Sequence, residues 1–223
     1  MLRAVLLANG ILEDVAGLRR RLETWAPRLV IGADGGSRHA ASLGLHLTTL
    51  LGDLDSIDPL ALAEAQRAGV EIRGWPREKD ETDLELALLS AVDAGADEIC
   101  ILGALGARLD MTLANILLLT HPRLADRRVE LWEAGQTVWL IRPPGEVIPA
   151  HPGDGLSLLP LGAAAEGITT RGLAYPLRNE SLALGPARGV SNVVTDENPK
   201  VELQRGLLLA ILTYSGSKDS AGR

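Results

Sequence analysis

TTLLGDLDSIDPLALAEAQRAGVEIRG, residues 48–74, decides the fold. Two short runs rich in β-branched and aliphatic residues, 48–52 and 70–74, bracket a stretch with leucine and alanine at helical spacing. Asp58-Pro59 opens that stretch as an N-cap followed by proline at the first helical position. A strand, a helix and a strand in this order form a right-handed crossover between parallel strands. The same alternation continues on both sides. LRAVLLA precedes a helix predicted over 13–24, RLVIGAD one from about 36, VEIRG one over 82–94 and EICILG one over 110–120, and RVELWEA closes the series. The pattern predicts an α/β domain over 1–134, a Rossmann-like, mostly parallel sheet with flanking helices.

After residue 134 the helical period stops. TVWLIRP, GLSLLPL, GITTRGL, GVSNVVT, KVELQ and GLLLAILT are short β runs between Pro and Gly, which predicts a smaller all-β sandwich or barrel over 135–215. HPGDG at 151–155 reads as a turn, and 216–223 as a frayed polar tail.

The 223 residues are 46% hydrophobic with a formal charge of -7, so a core is available and there is no general attraction to nucleic acid or to an anionic membrane. No run reaches the roughly 18 apolar residues of a membrane span, and AVLLA at 4–8 is too short for a secretory core, so a cytoplasmic location is expected. Cys100 sits inside an apolar strand, and the four histidines lack ligand spacing. Any metal is expected on oxygen donors.

In an open parallel sheet ligands bind beyond the carboxyl ends of the strands. Four of these ends carry acids: Asp34-Gly35-Gly36, Asp53-Leu54-Asp55, Lys79-Asp80-Glu81-Thr82-Asp83, and the 103–110 loop with Arg108 and Asp110. Asp53 and Asp55 are two apart, so in extended chain both face the same way. At about 4 Å and an effective dielectric near 20 they repel by roughly 4 kcal/mol, a cost that a divalent cation reverses. Oxygen ligands beside a phosphate suit Mg²⁺. The alternative for Asp53 and Asp55 is an Asp-rich turn. For Asp80 and Asp83 it is an N-cap with a second acid at the third helical position. Gly35, Gly36, Gly103 and Gly106 would let backbone N–H groups approach phosphate oxygens. Arg108 is a candidate phosphate clamp or a surface ion pair. Neither GxxxxGK[ST] nor GxGxxG occurs.

ADGGSRHA, GDLDSID, KDETDLELAL and GALGARLDMTLANI, followed by GITTRGLAYPL and GVSN, resemble the successive motifs of the thiamine pyrophosphokinase family, from about residue 4 to 213. The resemblance implies transfer of pyrophosphate from ATP to the hydroxyl of thiamine, giving thiamine diphosphate and AMP. It also implies Mg²⁺ held by Asp53, Asp55 and Asp83, with Asp34 and Thr82 beside them and Arg108 and Asp110 on the nucleotide side. Ser191 and Asn192 would contact thiamine across a homodimer interface; the alternative for them is a polar turn between strands. Ala107, Met111 and Leu54 stand where the family commonly has Gly, His and Phe. Rival functions are a pyrophosphokinase acting on another alcohol such as a hydroxymethylpterin, a non-catalytic thiamine or nucleotide binding protein, and a Mg²⁺-dependent phosphohydrolase. No general base is assigned.

Overall fold

The structure is a computed structural model that describes residues 1–54, 57, 59–76, 78–106 and 108–216. Asp55, Asp58 and all but the first residue of the expected polar tail therefore lie outside the described residues. The chain divides into two compact units, Met1–Ala134 and Gly135–Arg223.

The first unit follows the strand and helix alternation of the sequence. Its strands are β1 (Arg3–Leu7), β2 (Leu29–Ala33), β3 (Thr49–Gly52), β4 (Glu71–Gly74), β5 (Glu98–Leu102) and β6 (Arg128–Glu133), in the spatial order β6-β5-β1-β2-β3-β4. The pairs whose register is defined, β1 with β2 and β5, β2 with β3, β3 with β4, and β5 with β6, are all parallel. The chain steps outward from β1 to β4 and then returns to the other side of β1, so the order reverses beside β1. In such sheets that reversal opens a crevice at the carboxyl ends of the strands.

Central strands of a sheet covered on both faces read as unbroken apolar runs. Ala4, Val5, Leu6 and Leu7 of β1 are fully buried, as are Ile101 and Leu102 of β5. Helices α1 (Val15–Trp25), α2 (His39–Leu43), α3 (Pro59–Arg67), α4 (Asp83–Asp93) and α5 (Leu109–Leu118) connect the strands. Helix α4 buries Leu84, Leu86, Ala87, Leu88, Ala91 and Val92 and packs on β1, β2 and β3. None of the described helices is long and apolar enough to cross a membrane.

The second unit is all-β. β7 (Gln136–Ile141), β14 (Leu208–Thr213), β9 (Gly155–Pro160) and β12 (Asn192–Val193) form one antiparallel run. β11 (Arg178–Leu182), β10 (Ala165–Arg171), β13 (Lys200–Glu202) and β8 (Gly145–Val147) form another. Between them lies an apolar core that includes Trp139, Ile141, Leu156, Leu158, Ile168, Val201, Leu208 and Leu212. Strands β8 and β11 are additions to the sequence reading. Gly145-Glu146-Val147 is too short to show a period of two, and Arg178-Asn179-Glu180-Ser181-Leu182 is almost wholly polar because it lies at the edge of its sheet.

Candidate active site

At the carboxyl end of the parallel sheet a cavity of about 430 Å³ is bordered by residues from five strand ends. Ala8, Asn9 and Gly10 follow β1, Ala33 and Asp34 follow or end β2, and Asp53 follows β3. Lys79, Glu81, Thr82 and Asp83 come from the loop between β4 and α4. Gly103, Ala104, Gly106 and Arg108 come from the loop after β5, with Met111 and Asn115 reaching in from α5. Asp34, Asp53, Thr82, Asp83 and Arg108, all expected at the rim, are thus brought to one place.

Local backbone geometry explains how the acids reach it. Asp34 has φ 46° and Leu54 φ 60°, left-handed values that turn the chain sharply just past β2 and β3. Gly52, with φ 144°, lies so close to Asp34 that a Cβ there would be 2.9 Å from the Asp34 Cβ. Glycine at 52 therefore lets the ends of two neighbouring strands converge.

Gly35 and Gly36 lie just past β2. They open a 3₁₀ turn (Asp34–Arg38) and are not among the residues lining the cavity. A Cβ on Gly36 would stand 2.1 Å from the Leu7 carbonyl oxygen, so this glycine lets the turn press against the end of β1. Arg38 and His39 complete the brace. Arg38 Nη2 donates to the carbonyls of Asn9 and Gly10 at 3.2 Å, and His39 Nε2 lies 3.0 Å from the Gly10 carbonyl oxygen. Burial lowers the His39 pKa, so its imidazole is biased toward the neutral form. Gly10 N–H in turn donates to the Gly103 carbonyl at 2.8 Å, which ties the loops after β1 and β5 together.

Helix α4 is capped by Thr82, whose hydroxyl accepts from the Glu85 N–H at 3.2 Å. This corrects the assignment of the cap to Asp80, which is exposed and precedes the helix. Thr82 and Glu85 have capping-box spacing. The shift places Asp83 at the first helical position, where the helix dipole favours a negative charge. Lys79 Nζ donates to Asp83 Oδ1 at 2.7 Å.

Arg108 and Asp110 form a doubly hydrogen-bonded ion pair, 2.5 and 3.1 Å, on the surface, with side chains 72% and 65% exposed. Arg108 borders the cavity and also forms this ion pair. It holds the Asp110 carboxyl below its usual range. Asp110 does not line the cavity. At the base of the same loop, Asn115 is 4% exposed and donates from Nδ2 to the Ala104 carbonyl at 2.6 Å. Burial of Glu133, with Glu13 nearby, pushes its pKa up to about 7 against the opposing pull of the Leu105 backbone.

Ser191 and Asn192 lie in the second unit. Asn192 Oδ1 accepts from the N–H groups of Tyr175 and Val193 at 3.0 and 2.9 Å, and Nδ2 donates to the Tyr175 carbonyl at 2.8 Å. Both acceptor sites of the amide are used, and among the described residues one of its N–H groups has no acceptor. Asn192 also borders a separate cavity of about 440 Å³ with Tyr175, Arg178 and Arg188. Ser191 has φ 57° and its N–H donates to Ser157 Oγ at 3.0 Å.

Asn9, Gly10, Lys79, Met111 and Asn115 were not among the expected site residues. Asn9-Gly10 was legible, because the strand-end rule that singled out Asp34 and Asp53 applies equally to β1. Met111 and Asn115 are four apart on α5, one face of a helix, but nothing in an apolar helix indicates which face meets a cavity.

Comparison with known proteins adds the decisive observation. Residues 21–131 match the family model described as "Thiamin pyrophosphokinase, catalytic domain", and residues 146–208 match "Thiamin pyrophosphokinase, vitamin B1 binding domain". The chain belongs to the thiamine pyrophosphokinase family. It is 28% identical over 205 residues to thiamine pyrophosphokinase of Bacillus subtilis, spanning 91% of this chain and 93% of that one. To thiamine pyrophosphokinase 1 of Oryza sativa it is 27% identical, over 88% of this chain and 86% of the relative. The crystal structure of the B. subtilis protein superposes with a TM-score of 0.82 at 26% identity, covering 95% of this chain and 99% of that chain. A thiamin pyrophosphokinase family protein from Enterococcus faecalis gives 0.80 at 26% identity, covering 95% and 98%.

Proposed function

We propose that this enzyme transfers pyrophosphate from ATP to the hydroxyl of thiamine, with the cavity at the end of the parallel sheet as the polyphosphate site. The observation that carries this is the joint match to a catalytic and a vitamin B1 binding family model, with the acids of the first converging on one cavity.

Among the described residues, the carboxylates of Asp34, Asp53, Glu81 and Asp83 border that cavity. A polyphosphate entering there is repelled by these charges, which Lys79 and Arg108, bordering the same cavity, offset only in part. Among the described residues no three His, Cys, Asp or Glu side chains are close enough to hold a metal ion by themselves. Mg²⁺ usually takes only one or two carboxylates and keeps waters, so the oxygen donors present fit it. Asp53 and Asp83, with Asp55 in the same strand-end motif, would hold it. When bound it would neutralise charge on the phosphoryl oxygens of the transferred group.

The thiamine hydroxyl oxygen attacks the β-phosphorus, the bond from that phosphorus to the α–β bridging oxygen breaks, AMP leaves and the hydroxyl proton is lost. The chain's own contribution is position and electrostatics. Thr82 fixes the start of α4 and hence Asp83, Asp34 stands beside the acids that would hold the metal, and Arg108 would serve the nucleotide, with Asp110 paired to it outside the cavity lining. Gly10 holds the loop after β1 against that of β5, and Arg38 and His39 tie it to the turn after β2. Ser191 and Asn192 are assigned to the aminopyrimidine of thiamine, across a homodimer interface, with one Asn192 N–H available as a donor. A cytoplasmic location, where ATP is supplied, belongs to the same proposal.

AMP formation from ATP and Mg²⁺, with and without thiamine, tests it. Thiamine-dependent AMP with matching thiamine diphosphate is expected. ATP loss without an acceptor would indicate a phosphohydrolase, and turnover only with another alcohol would reassign the acceptor.

A further inference from the structure

Lys79 is one of three lysines among the 22 Lys and Arg residues of the chain, and it lines the acid-bordered cavity. Its ammonium lies 2.7 Å from Asp83 Oδ1, with the Lys79 side chain 13% exposed and that of Asp83 31%. The pair is four apart but not helical, because Lys79 precedes α4 and the loop folds back over the first residue of that helix. Sequestered from solvent in this way, the pair is screened less than a surface one.

The position of this ammonium is out of the ordinary for a simple loop staple. Asp34, Asp53 and Glu81 border the same cavity, so a lysine released from Asp83 stays among negative groups. Lysine presents a compact point charge on a flexible stem with three rotatable donors, which lets it change partners where the rigid fork of arginine would not. A carboxylate oxygen that already accepts from an ammonium must give up part of that contact to take a dication at full strength. An incoming polyphosphate brings the charge that the displaced ammonium needs.

We propose that Lys79 is a resident cation that trades partners, held by Asp83 before loading and passed to the polyphosphate when a divalent cation takes Asp83. This rests on the assignment of Asp83 as a metal ligand. It makes two predictions of opposite sign. Lys79 competes with a metal that arrives alone, and it assists the nucleotide.

Mn²⁺ binding to the nucleotide-free full-length chain, read from the electron paramagnetic resonance of free Mn²⁺, separates them. Lys79→Met and Lys79→Gln are expected to bind Mn²⁺ about fivefold more tightly than the unaltered chain, the factor that an ion pair at the upper end of surface strength represents. The same variants are expected to raise the KM for ATP. Asp83→Asn is expected to weaken Mn²⁺ binding. In the unaltered protein, acylation of Lys79 followed by peptide mass spectrometry is expected to speed up with Mn²⁺ alone and to slow down with Mn²⁺ and ATP together. Mn²⁺ binding that is unchanged or weaker in both Lys79 variants, with Asp83→Asn still weakened, overturns the exchange and leaves Asp83 as ligand. Unaltered Mn²⁺ binding in Asp83→Asn removes the metal assignment itself. Should both Lys79 variants fail to fold, the acylation decides alone, and a rate insensitive to Mn²⁺ rules the exchange out.

Discussion

The two units handle their motif residues in opposite ways. In the parallel-sheet unit, Asp34, Asp53 and Asp83 stand just past strand ends or at a helix start, while glycines and braces around them do the structural work. In the antiparallel unit, Asn192 is itself a strand residue, and its amide ties Tyr175 to β12 through three hydrogen bonds counting that to Val193. A parallel sheet ends all its strands of one direction at one edge, so side chains from several strand ends gather at one cavity there. A short strand in a sandwich has no such edge, and a polar side chain on it is recruited into the scaffold.

The sharpest way to break this comparison is to replace an acid of the first unit. Asp53→Asn is expected to lose at least about 10²- to 10³-fold in thiamine-dependent AMP formation, the scale for removing one preorganised electrostatic group. Its urea unfolding curve should stay close to that of the unaltered chain. A large shift in the unfolding midpoint would place Asp53 in the scaffold instead. Gly36→Ala should do the reverse. The added Cβ meets the Leu7 carbonyl, and overpacking of this kind costs about 1–3 kcal/mol, read from the same unfolding curve.

Asn192→Ala tests the second unit directly. It should lower both thermal stability and thiamine affinity, because one side chain serves both. Its stability loss is expected at about 0.5–1.5 kcal/mol, the net worth of a hydrogen bond whose partners water can reach. Loss of thiamine affinity with no change in melting temperature would show that the amide plays no part in the scaffold. Thr82→Ala removes the cap of α4 and should cost about 1 kcal/mol. Because Asp83 follows it directly, the KM for ATP should rise as well.

Glu133 sharpens the comparison by pH. Burial raises its native pKa from about 4.5 to about 7, so between those values the folded state binds more protons than the unfolded one. Stability from this group is full below about pH 4.5 and falls as pH rises toward 7. Glu133→Gln keeps an acceptor beside the Leu105 backbone without the charge. Its melting temperature should match the unaltered chain at pH 4.5 and exceed it at pH 8.

Most of the first unit was legible from its sequence, because apolar runs such as 4–7 and 99–102 are long and their helical crossovers fix parallel pairing. The cap of α4 was misplaced, at Asp80 instead of Thr82. Both types cap helices, and only the position of Glu85 three residues after Thr82 separates them. In the second unit β11 was hidden, since a polar edge strand carries no hydrophobic alternation.

The sequence by itself determined the α/β unit, the β unit after residue 134 and the gathering of acids at strand ends, because periodicity and strand direction are local properties. Tertiary structure decided which of those polar groups face the cavity. It turned Gly36 into a packing contact with β1, paired Arg108 with Asp110 on the surface and drew Lys79 onto Asp83. These outcomes depend on distances between segments far apart in the chain, and no local pattern encodes them.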